Sequence, residues 1–275
     1  MKMATIRLVE ENEASPEVKA IYDESKRHFN IDFVPNVFKA MAHNPELLKM
    51  QWEGLMQGEK MWGKETFYLV SLAVDVTNSC DYCINADTAM LKQIGYDDAK
   101  IESLINMIAL NSYYNHYVDG LQLEPDVTPT MAERGRAMKM PTIRLIEENE
   151  ASADVKAVYD DIKRHFNLDF VPSVFKAMAH NPEALKMGWE GFKQAEEVWG
   201  KEKMYLIGLA VDITNGCDYC INFDTAMLKR LGYDDAKIES LINVIAGESY
   251  FNRYADGLQL ESDVTPAVVE RRRAA

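Results

Sequence analysis

Four cysteines are the side chains in this sequence whose type and spacing point most directly to covalent chemistry. Cys80 and Cys83 form one Cys-x-x-Cys, Cys217 and Cys220 form another, and together they account for every cysteine in the 275 residues. Two thiols three positions apart on a helix lie on neighbouring parts of one face, near enough to join as a disulfide. At a helix start the unpaired N–H groups and the dipole favour a thiolate, so one sulfur can attack an oxidant and the other can capture the product. Asp87 and Asp224 stand four residues after the second cysteine of each motif and share its helical face. An ionised carboxylate there opposes a neighbouring thiolate, whereas a buried one has its own pKa raised and can pass protons near neutrality. Two other readings stay open. A metal could take all four thiolates, or two of them with Asp87, although structural zinc knuckles usually stand closer in sequence than these two motifs. The thiols could also be inert, because free cysteine is among the most buried residue types.

The two motifs belong to one unit written twice. Met1, Ser15, His28, Cys80 and Glu124 recur 137 positions later as Met138, Ser152, His165, Cys217 and Glu261, without a gap. About three quarters of the paired positions are identical, and such self-similarity decides the architecture before any finer reading. The expected domains are 1–137 and 138–275, a tandem pair of protomers fused into a pseudo-dimer. The stretch from Glu124 to Pro141 has no Gly/Ser tract and reads as the tail of one copy joined to the start of the next.

Helical punctuation within a copy is dense. Ser15-Pro16-Glu17 supplies a cap, a proline at the first helical position and an acid in the first turn, followed by Val18, Ile21, Tyr22, Ser25 and Phe29 on one face. Pro35 opens a short second helix through Val37, Phe38 and Met41. Asn44-Pro45-Glu46 starts a third that Gly63 ends. From Lys64 to Thr77 the apolar residues cover most of the circumference, as in a buried central helix. Asn78-Ser79, which is Asn215-Gly216 in the second copy, signals the turn before the cysteine helix, expected from Cys80 to Gly95. Asp97 caps a further helix with Ile101, Leu104, Ile105 and Ile108 inward, and a last helical segment around Tyr113 to Tyr117 ends at Gly120. No stretch alternates with period two, so the fold class is all-α, with two helical bundles in tandem.

The net charge of −14 argues against nucleic acid and against anionic membrane surfaces, both of which require cationic patches. The basic run Arg271-Arg272-Arg273 reads as a solvated tail. A hydrophobic content of 47% suffices for real cores, yet no apolar run approaches the ~18 residues that span a bilayer. The first residues turn acidic at once, unlike a signal peptide, so the expected address is cytoplasmic. His28, His165, His43 and His180 read as helix-end or surface residues, and Arg253 replaces His116 in the second copy. The four tryptophans read as packing anchors. No phosphate-binding glycine loop, nucleophile elbow or paired-histidine metal motif is present, and no cofactor is expected.

The run VPNVFKAMAHNPELL, then a buried helix, then NSCDYCINADTAML and IGYDDAKIESL, resembles the carboxymuconolactone decarboxylase / AhpD-like alkylhydroperoxidase family over most of each copy. The resemblance implies an all-helical fold, homo-oligomers, and a thiol peroxidase or disulfide-exchange activity. It implies Cys83 and Cys220 as peroxidatic thiols, with Cys80 and Cys217 as their resolving partners. A redoxin-type or lipoylated dithiol protein would be the reductant, and three fused chains could stand where six protomers otherwise would. At the two proton-relay positions this chain departs from the family pattern. Asp87 and Asp224 replace the relay histidine, and Tyr68 and Tyr205 replace the relay glutamate, which predicts a working dithiol couple with weakened peroxide turnover. Two alternatives carried by the same fold are a lactone-acid decarboxylase that does without the cysteines, and a non-catalytic helical assembly or metal-binding module.

Overall fold

The computed structural model describes residues 4–129 and 141–268, and among these there are helices and turns but no strand. The repeat boundary at 137/138 and the basic run at 271–273 lie outside the described residues. The first copy forms α1 (Pro16–Phe29), α2 (Asn36–Met41), α3 (Pro45–Asn78), α4 (Asp81–Gln93) and α5 (Asp98–Gly120). The second repeats them as α6 (Ala153–Phe166), α7 (Ser173–Met178), α8 (Pro182–Asn215), α9 (Asp218–Arg230) and α10 (Asp235–Gly257). The segment around Tyr113–Tyr117 is not separate: the helix capped by the carboxylate of Asp97 runs without a break to Gly120.

The helix boundaries follow the capping chemistry. Ser15 accepts from the N–H of Val18, and Asn44 from that of Leu47, each before a proline that needs no N–H partner. The glycine expected to end the third helix breaks it instead: Gly63 sits at φ 73, ψ 151 and Gly200 at φ 74, ψ 154, and helix resumes on either side. That backbone region is all but closed to residues with a Cβ. Ser79 and Gly216 both adopt the left-handed conformation that turns the chain into the cysteine helix.

The two compact units do not coincide with the two sequence copies. One comprises Met1–Asn106 with Glu239–Ala275, the other Met107–Ile238. In each unit the long helix packs on the cysteine helix and on the first helix of its own copy, α3 on α4 and α1, and α8 on α9 and α6. The last helix comes from the other copy: the later part of α10 belongs to the first unit and the later part of α5 to the second. Tyr22, Leu48, Leu72 and Met90 fill the core of the first, and Tyr159, Leu185, Trp189 and Leu209 that of the second. Trp52 packs edge-on against Phe29 and Phe38 while its Nε1 donates to Glu24, so it anchors packing as expected.

The tail that follows each exchanged helix is also tied down. Asp263 accepts the N–H of Asn36 at 2.6 Å and the phenol of Tyr82 at 2.8 Å. Asp126 does the same for Ser173 and Tyr219 in the second unit. One carboxylate thus supplies the N-terminal partner that α2 or α7 lacks within its own copy.

Candidate functional site

The α3–α4 turn, closed by Cys80 N–H to the carbonyl of Asp75, sets both thiols at the mouth of α4. Cys80 is the N-cap and Cys83 lies in the first turn. Their Sγ atoms are 3.0 Å apart, and both thiols are free. Cys80 is sealed, whereas Cys83 lines a cavity of about 70 Å³. In the second unit Cys217 is sealed and Cys220 lines a cavity of about 90 Å³. In both units the second cysteine of the motif lines the cavity and the first lies behind it.

The electrostatics run against the thiolate expected from the helix dipole. The thiol of Cys83 is raised far above its ordinary range by the hydrogen bond with Cys80, by burial and by the charge of Asp75. Cys220 is raised likewise by Cys217, burial and Asp212. Among the described residues no Lys, Arg or His lines either cavity to offset these charges.

Asp87 and Asp224 do reach the sites, where each meets a second carboxylate that the sequence reading passed over. Burial and Asp75 raise Asp87 well above the usual carboxylate range, and burial and Asp212 do the same to Asp224. Their partners are raised too, Asp75 to about 8 and Asp212 to about 7, burial being the main cause in both. A side-chain amide partly offsets it: Asn252 Nδ2 donates to Asp75 Oδ1 at 2.6 Å, and Asn115 Nδ2 donates to Asp212 Oδ1 at 2.7 Å. Each amide is in turn oriented by an asparagine at the end of the long helix. Asn78 donates to Asn252 Oδ1 at 2.9 Å and Asn215 to Asn115 Oδ1 at 2.8 Å. Only a side chain that both donates and accepts can hold this position. The remaining oxygen of each inner acid, Asp75 Oδ2 and Asp212 Oδ2, is buried with no donor beyond the neighbouring carboxyl of Asp87 or Asp224.

Tyr68 is placed at the first cavity but is already engaged. Its hydroxyl donates a short hydrogen bond to Glu59, which also pairs with His28 Nε2 at 2.7 Å. Burial alone would raise Glu59, but the bonds from His28 and Tyr68 outweigh it and hold the carboxyl below its usual value. Tyr205 lines the second cavity, with its phenol raised by burial and by Asp224. His28 and His165 stand at the ends of α1 and α6, as expected, each half-buried in an acid–imidazole pair, since His165 meets Glu196 at 2.7 Å.

The two sites are not copies. Ser71 in the first corresponds to Gly208 in the second, and a Cβ at Gly208 would come within 2.1 Å of Asp224 Oδ2. Glu248 lines the first cavity where Asn111 lines the second. Asp212 and Asn115 both face the second cavity, among Phe166, Phe192 and Phe223, whereas neither Asp75 nor Asn252 lines the first.

The chain belongs to the carboxymuconolactone decarboxylase family, whose model matches residues 48–123 and 187–260, one stretch in each copy. It is also 23% identical over 282 residues to an (R)-2-haloacid dehalogenase of Pseudomonas putida, covering 94% of this chain and 90% of that one. A second (R)-2-haloacid dehalogenase, from Rhizobium sp. (strain NHG3), is 23% identical over 204 residues, covering 68% of this chain and 77% of the relative. Among solved structures, a D-2-haloacid dehalogenase mutant in complex with D-2-CPA is similar at 20% identity, covers 100% of this chain and 98% of the other, and has a TM-score of 0.25.

Proposed function

We propose that the chain is a hydrolase that displaces a leaving group from the carbon next to a carboxylate, with small 2-haloacids as the substrate class, and that the second unit carries the reaction. The supporting observation is Asp212. One of its oxygens is pinned by Asn115, the other is buried beside the carboxyl of Asp224, and the residue lines a cavity large enough for a few heavy atoms. The hydrogen bond between the two carboxyls lowers Asp212 and raises Asp224, so a proton shared by the pair rests on Asp224. Asp212 is then a base matched to the working pH. It takes a proton from water as the water oxygen bonds to C2 and the carbon–halogen bond breaks. The products are a 2-hydroxy acid, a halide ion and one proton, and no redox partner is consumed. Protonated Asp224 and the neutral donors Asn111 and Tyr205 would meet the substrate carboxylate in place of a cation. The names of the relatives support the substrate class.

Halide release from (R)- and (S)-2-chloropropionate by the purified chain tests this reading. Turnover that disappears in Asp212→Asn supports it, and no turnover of either enantiomer, or turnover indifferent to Asp212→Asn, overturns it. In water enriched in ¹⁸O, with enzyme in excess over substrate, the heavy atom should enter the hydroxy acid in the first turnover.

The 3.0 Å approach of Cys80 and Cys83 favours a second reading, a dithiol–disulfide couple acting on peroxides or disulfides and recharged by a redoxin or lipoylated protein. The raised thiols make such a couple slow to be oxidised by peroxide. Thiol titration after diamide and after hydrogen peroxide separates the cases. Loss of all thiols with diamide and slow loss with peroxide fits a couple of this kind. Thiols that survive both reagents in the native protein count against it.

A further inference from the structure

We infer that the first unit contains a binding site for one hard divalent cation, formed by Asp75 of α3, Asp87 of α4 and Glu248 of α10, and that the second unit lacks it. One carboxylate oxygen from each of the three lies within 4.8 Å of the others. Two oxygens on opposite sides of a cation with ligand distances of 2.3–2.6 Å stand about 5 Å apart, so the set can close on one ion. Asp75 is fully buried, and the Oδ2 atoms of both Asp75 and Asp87 are buried with no donor beside them other than each other's carboxyl. Two buried carboxyls so placed are satisfied either by a proton they share or by a cation between them. None of the ion pairs among the described residues involves these three acids. Their donors are all hard oxygens, the set that selects magnesium, manganese or calcium over softer metals.

The second unit is an internal control. The position of Glu248 is Asn111 there, which removes one of the three charges. The position of Ser71 is Gly208, and Asp224 occupies the space a Cβ would need. The outer acid therefore leans over the inner helix rather than toward a third carboxylate. The site stands on geometry separate from Asp212 and does not depend on the hydrolytic reading.

The test uses the full chain stripped with a chelator and titrated with manganese alone, following free Mn²⁺ by electron paramagnetic resonance, with calcium as competitor. One saturable ion per chain is expected, together with a rise in melting temperature on loading. Glu248→Asn, which installs the residue type of the other half, should weaken binding at least tenfold and abolish the melting shift, with near-ultraviolet dichroism confirming the fold. Glu248→Gln provides the same reading should the shorter side chain disturb packing. No saturable binding by the parent chain overturns the site. So does one ion bound with undiminished affinity by both Glu248 variants, which would locate it elsewhere.

Discussion

The chemistry of each half is decided by how many negative charges share one buried corner. Asp212 and Asp224 in the second unit are kept from ionising together, and this gives two expected outcomes. In the proposed hydrolysis Asp212 acts as the ionised base, so halide release should rise with pH through about 7 and level off above it. Asp212→Asn should lower turnover at least a hundredfold, at the low end of what a positioned base contributes, ~10²–10⁴-fold. Stability should run the other way. The folded chain holds the Asp212 proton up to about 7, while the unfolded chain releases it near the ordinary 3.8. Between those values the folded state binds more protons, so this contribution is full below about 4 and is lost as pH rises toward 7. Melting temperatures across that window should fall less steeply in Asp212→Asn than in the parent; an unchanged slope would show that the acid is not held protonated. The cysteines, Asp87 and Asp224 were legible in the sequence because their types and spacing carry the signal. Asp75 and Asp212 were not, although a charge inside a helix apolar nearly all round is itself a signal. Asn115 and Asn252 were hidden for another reason: their importance depends on a partner about a hundred or more residues away.

At the scale of the element, the long helix is broken by a glycine upstream of the stretch that carries its buried acid. Gly63→Ala and Gly200→Ala should each cost about 1–3 kcal/mol in urea denaturation, because the φ and ψ there are nearly exclusive to glycine. Gly208→Ser should act on chemistry more than on folding. Its new Cβ would contact Asp224 Oδ2, displacing the acid that partners Asp212. Halide release should drop while the melting temperature moves little, and a variant as active as the parent would remove Asp224 from the mechanism. Helix limits were readable from caps and prolines because those are local effects. That α5 continues through Tyr113 to Gly120 was less readable, since its face changes character from apolar to aromatic and polar along its length.

At the scale of the whole molecule, the repeat was plain from the sequence and the membership of each compact unit was not. No pattern within a copy says that its last helix belongs with the other copy's cysteine turn, because identical repeats offer identical surfaces to either partner. The fused pseudo-dimer is thus a statement about exchanged helices. Residues 1–137 produced alone should self-associate, with Asn115 of one chain standing where Asn252 stands in the parent. Light scattering on the isolated half would show a dimer, and a folded monomer would count against the exchange. No helix among the described residues is long and apolar enough to cross a membrane.

Asn115 is encoded in the first half of the gene and Asp212 in the second, yet they share a hydrogen bond. A lesion in one half is therefore felt in the pocket named for the other. The usual freedom of a duplicated gene segment is absent here, and whatever specialisation separates the two pockets had to be inherited as a matched pair.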